Sequence, residues 1–82
     1  MSAKRSPHFG ELQTLVDDLF ASRKTLSSTE LVLNAEILDL HPDLLEICQI
    51  VPFGTYDRQT LCDQINSAMT AHGWGSVYGT VE

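Results

Sequence analysis

Apolar residues return every three or four places through most of this chain, and that spacing restricts it to helices packed on one another. Phe9, Leu12, Leu15, Val16, Leu19 and Phe20 carry the pattern first, with Glu11, Gln13, Thr14, Asp17 and Asp18 between them. This is one apolar stripe on one helix. Arg23 and Lys24 follow it, placing positive charge near the helix C-terminus, where the macrodipole favours cations.

The next helix is announced by its cap. Ser27 and Glu30 stand three apart before Leu31, Val32 and Leu33, the spacing at which hydroxyl and carboxylate each satisfy an unpaired backbone donor. Its apolar residues (Leu31, Val32, Leu33, Ala35, Ile37, Leu38 and Leu40) cover more than one face, so burial on two sides or an irregularity near Asp39 is expected. A third helix is expected from Pro42, with His41 as its cap and Asp43 at the positive end of the dipole. Pro52 stops that helix, and Phe53-Gly54 reads as a turn. Thr55 or Asp57 then caps a fourth helix through Leu61, Ile65, Ala68, Met69 and His72, with Gly73 at its left-handed end. No internal repeat is evident.

The fold class these signals define is all-α: a compact bundle of four short helices over residues 8–73, after a flexible tail over 1–7 and before an extended tail over 74–82. The competing arrangement is a small winged-helix-like α+β domain with strands at Leu31–Leu33 and Val77–Val81, which Gly75 and Gly79 weaken. A chain of 82 residues holds one domain at most and buries a modest core. The apolar share of 43% against 20% charged residues belongs to a folded chain.

Charge narrows the partners. A net charge of −6 repels a phosphate backbone, and the basic residues are confined to Lys4-Arg5, Arg23-Lys24 and Arg58. A helix-turn-helix drawn through Ala35 to Val51 presents Asp43, Leu44, Glu46 and Gln49 to DNA, with no lysine or arginine. The basic, polar N-terminal residues lead into an amphipathic segment instead of an apolar signal core or membrane span, so a cytoplasmic location is expected.

Chemistry-bearing groups are few. Cys48 and Cys62 are expected as reduced, partly buried thiols; Ile47 and Gln49 flank the first, Asp63 the second, and neither setting favours a thiolate. His41, Cys48, Cys62 and His72 match zinc in kind. However, each His–Cys pair is separated along its helix by roughly 10–15 Å at 1.5 Å per residue, too far to clamp one ion. There is no glycine-rich phosphate loop. The six residues Ser27-Ser28-Thr29-Glu30-Leu31-Val32 look like the start of the second helix of acyl carrier proteins, but Leu26 and Ser28 flank Ser27 where that family has an Asp-Ser-Leu motif. A serine cap accounts for Ser27, and no cofactor, metal or small-molecule substrate is expected.

The residues left over are interface anchors. Trp74, Val77 and Tyr78 bring two large aromatics into a glycine-spaced segment, and Leu31 and Leu33 belong to the apolar surplus of the second helix. The reading is a non-enzymatic module that binds another protein or a second copy of itself. The alternative is a nucleic-acid-linked regulator, either winged-helix-like or an acidic mimic of DNA.

Overall fold

The computed structural model describes residues 5–82. The chain folds as α1 (Glu11–Phe20), β1 (Thr25–Ser27), α2 (Ser28–Ile37), α3 (Pro42–Ile50), β2 (Thr55–Asp57), α4 (Arg58–His72) and α5 (Gly75–Tyr78). It is mostly helical, with one small antiparallel sheet. That corrects the four-helix expectation in two places: a fifth helix is present, and two strands are paired with Thr25 opposite Asp57, Leu26 opposite Tyr56 and Ser27 opposite Thr55. The strands are not those of the winged-helix alternative. Leu31–Leu33 lies inside α2, and Val77 belongs to α5.

The caps form where the sequence places them. Ser27 Oγ accepts from Glu30 N–H at 3.0 Å while Glu30 Oε1 accepts from Ser27 N–H at 3.1 Å, a complete capping box. His41 Nδ1 accepts from Asp43 N–H at 3.1 Å, and Asp57 Oδ1 accepts from Thr60 N–H at 2.8 Å. Helix α4 ends with Gly73 at φ 70°, where Trp74 N–H returns to Met69 O. Helix α2 ends in the same way, but Asp39 takes the left-handed position at φ 52° and Leu40 N–H returns to Ala35 O. That turn is the irregularity expected near Asp39.

Each strand runs straight into a helix, so the domain contains two helix–strand–helix halves joined by the strand pair. Thr25 and Thr55 open the two strands, Ser27 and Asp57 cap the helices behind them, and Leu31 and Leu61 both enter the core. The halves share little beyond these residues, which explains why no repeat shows in the sequence.

One core joins all the elements. Leu12, Leu15 and Val16 of α1 meet Leu31 and Ala35 of α2, Leu44, Ile47 and Cys48 of α3, and Leu61, Cys62, Ile65 and Met69 of α4, with Leu26 beneath the strands. The tails are tied to this body. Ser6 N–H donates to Val77 O at 3.0 Å, so the tail expected over 1–7 is anchored at that point, and its first four positions lie outside the described residues.

The tail expected to be extended over 74–82 becomes α5 and then a docked segment. Val81 is 4% exposed. The side-chain amide of Asn66 both donates to Val81 O and accepts from Val81 N–H, each at 2.8 Å. Gln13 does the same for Glu82, at 3.0 and 2.9 Å. Two amides on α1 and α4 thus act as neighbouring strands would, and Arg58 adds a bond to Glu82 O at 2.7 Å. Gly79, at φ 87°, turns the chain into this clamp; a Cβ there would approach the Phe9 ring at 3.2 Å.

Candidate functional site

The five interface candidates separate once the chain folds. Leu31 is completely buried and Tyr78 is 6% exposed, so neither is presented at the surface. Leu31 sits on the inner side of α2 with Ala35, one turn on. Tyr78 is drawn in because its hydroxyl donates to Asp43 Oδ2 while its ring meets Trp74 edge-on at 5.9 Å. Trp74 and Val77 are half-buried against the core, and Trp74 also stacks on His72 at 4.3 Å. Leu33 remains accessible, 53% exposed.

Around Leu33 the structure brings together residues that sequence reasoning passed over. Ile37 lies one turn further along α2 on the same outer face. Phe53, in the loop between α3 and β2, is 93% exposed, the most accessible of the large apolar side chains. Between Leu33 and Phe53 lies an open groove of about 370 Å³, lined by Ser28, Thr29, Val32, Leu33, Gln49, Val51 and Phe53.

The loop that carries Phe53 is fixed. Ser28, the one buried polar residue described, donates its N–H to Gly54 O at 2.9 Å and accepts from Gly54 N–H through its hydroxyl at 3.1 Å. Tyr56 closes the other side by donating its hydroxyl to Pro52 O at 2.6 Å. Pro52 itself restricts the backbone before Phe53. An aromatic placed between a proline and a glycine was the available signal. In the sequence that pattern specifies a turn, and nothing in the spacing says on which side of the turn the ring will lie.

The thiols sit elsewhere and are shielded. Burial raises the Cys48 thiol to about 12. Burial also raises Cys62, with Arg58 working against it and Asp63 adding to it. Both cysteines are free. Among the described residues, no group of three or more His, Cys, Asp or Glu side chains is arranged to hold a metal ion.

The two helix–loop–strand–helix halves invite a comparison with loop calcium sites, which need carboxylates or carbonyls at alternate loop positions. The loop before β1 offers Ala21, Ser22, Arg23 and Lys24; the loop before β2 offers Val51, Pro52, Phe53 and Gly54. Glu30, at the helix start, is engaged by Ser27 and Arg23. Neither loop segment carries a carboxylate side chain.

Three of the described cations are likewise engaged. Arg58 pairs with Asp17, and Arg23 with Glu30. Arg5 lies over the Phe9 ring at 4.3 Å. No helix among the described residues is long and apolar enough to cross a membrane. No protein-family model, curated protein or solved structure matches the chain.

Proposed function

We propose that this chain is a non-enzymatic protein-binding module whose contact face is formed by Leu33 and Ile37 of α2 together with Phe53. The observation that carries the reading is Phe53, 93% exposed on a loop held at both sides by hydrogen bonds. Burying a phenylalanine side chain contributes about 1.5–3 kcal/mol, and a pre-ordered loop loses little entropy on binding, so this ring is an efficient anchor. Leu33 and Ile37 extend the apolar surface along α2, as helix-docking faces do. The nucleic-acid alternative has less support, because Arg23 and Arg58 already pair with carboxylates of the same chain.

A photo-crosslinking residue at position 53, compared with one at exposed Ser67 on α4, tests the reading in cells producing the full chain. Discrete adducts from position 53 that vanish in Leu33→Ser support it. Sedimentation equilibrium then separates a second copy from a foreign protein. Adducts that form equally at both positions, or at neither, with a concentration-independent monomer mass, would retire the proposal.

A further inference from the structure

The cleft between α2 and α3 narrows the chemistry of the partner, and the argument rests on the protein-binding reading above. The first half of α2 faces the end of α3 across the apolar groove beside Phe53. The end of α2 faces the start of α3 across a second hollow of about 200 Å³, lined by Ala35, Glu36, Asp39, Leu40 and Leu45. The two helices are therefore antiparallel, and the α2–α3 seam carries an apolar hollow toward one end and a hollow with two carboxylates toward the other.

The carboxylates are available, and the backbone that carries one of them is held in a defined turn. Among the described residues, no ion pair involves Glu36 or Asp39. The left-handed turn at Asp39 is pinned by Asp39 N–H to Glu36 O and Leu40 N–H to Ala35 O. Along α2, Leu33 and the Glu36–Asp39 end are one to two turns apart, roughly 5–10 Å at 1.5 Å per residue. A helix laid along the cleft matches that interval with an apolar residue at one position and a cation four or seven places on.

We infer that the α2–α3 cleft receives a basic amphipathic helix from a partner protein, a bulky apolar side chain entering beside Phe53 and a lysine or arginine meeting Glu36 and Asp39. Charge decides between this occupant and a second copy of the chain. Another copy brings the same net charge of −6 to an acidic cleft, and of its described cations Arg23 and Arg58 are already paired and Arg5 lies over the Phe9 ring, which leaves Lys24. A basic helix meets complementary charge and is steered by it.

The test uses the full chain and three labelled synthetic peptides of roughly 18 residues, sharing one leucine face and differing in a polar face of lysine, glutamine or glutamate. Fluorescence anisotropy should show the leucine–lysine peptide binding at least about tenfold more tightly than the leucine–glutamine peptide, with the leucine–glutamate peptide weakest. E36Q combined with D39N should remove that preference and leave leucine–glutamine binding unchanged. Asparagine tolerates the left-handed position, so the turn survives the exchange. Leu33→Ser with Phe53→Ser should weaken all three peptides, and circular dichroism checks that each variant stays folded.

Equal binding of the lysine and glutamine peptides would overturn the basic partner while leaving an apolar docking face standing. An equal loss in a control carrying Asp18→Asn and Asp63→Asn, away from the cleft, would reduce the preference to general attraction and overturn the site. Binding by none of the peptides, or self-association lost in Phe53→Ser, would also overturn it.

Discussion

Residues 74–82 and the loop 51–54 are alike as sequences and opposite in outcome. Each is short, aperiodic and glycine-containing, and each carries bulky apolar side chains beside a helix end. The first folds onto the core until Tyr78 is 6% and Val81 4% exposed; the second leaves Phe53 93% exposed. Hydrophobicity alone would bury all three. The difference lies in what grips the backbone. Asn66 and Gln13 hold residues 81 and 82 against α1 and α4, and Asp43 accepts the Tyr78 hydroxyl. Ser28 and Tyr56 hold the loop by Gly54 and Pro52, and Phe53 between them faces water.

The contrast breaks most directly by truncating the two rings. Tyr78→Ala should cost roughly 3–5 kcal/mol in chemical denaturation, as deletion of a buried aromatic does, whereas Phe53→Ala should stay within about 0.5 kcal/mol. Similar losses for both would mean that the loop ring also supports the fold.

The grips themselves come next. Asn66→Ala removes both bonds to the Val81 backbone and should cost roughly 1–3 kcal/mol, with faster amide exchange over residues 79–82. Ser28→Ala removes the acceptor for Gly54 N–H, with a loss of roughly 0.5–1.5 kcal/mol and a mobile Phe53 ring by NMR relaxation. A rigid Phe53 in that variant would show that Pro52 and Tyr56 suffice.

Alkaline titration sharpens the comparison at Tyr78. Its hydroxyl, donating to Asp43, is raised from 10.0 to about 12. A raised value means that the stabilisation is whole below pH 10 and declines as pH climbs from 10 toward 12, because the unfolded chain ionises first. Cys48, raised by burial from 9.0 to about 12, adds a decline that begins near pH 9. Denaturation midpoints measured from pH 8 to 12 should therefore fall less steeply above pH 10 in Tyr78→Phe than in the parent, and the two curves should share the earlier fall.

The smallest effect lies at the acid end. The Ser27 backbone N–H, followed by Arg23, holds Glu30 below its usual 4.5. A lowered value contributes stability above pH 4.5 that fades as pH drops through the folded value. Glu30→Gln should flatten part of that acid decline, read by thermal melts between pH 2 and 6. An unchanged profile would remove Glu30 from the capping energetics.

Helix positions were legible because their signals lie close along the chain. The box of Ser27 and Glu30, the His41 and Asp57 caps and the left-handed Gly73 each involve partners within a few residues. The apolar stripe of α1 reached the core as its spacing implies, through Leu12, Leu15 and Val16. The candidate site was harder to read. Leu33 stood out, but so did Leu31, and only the packing of α2 against its neighbours put one outside and the other within. Phe53 carried no periodicity to be read, since a turn residue has no face until the turn is docked.

What the sequence by itself determined was a set of capped, amphipathic helices and an acidic chain, because periodicity and capping are short-range and charge is additive. The strand pair, the clamped C-terminal residues and the exposed Phe53 were decided by the tertiary structure. Their hydrogen bonds join residues as far apart as Ser28 and Gly54 or Gln13 and Glu82. Such bonds form only after the helices have packed and brought distant backbone groups within reach, so no local pattern announces them.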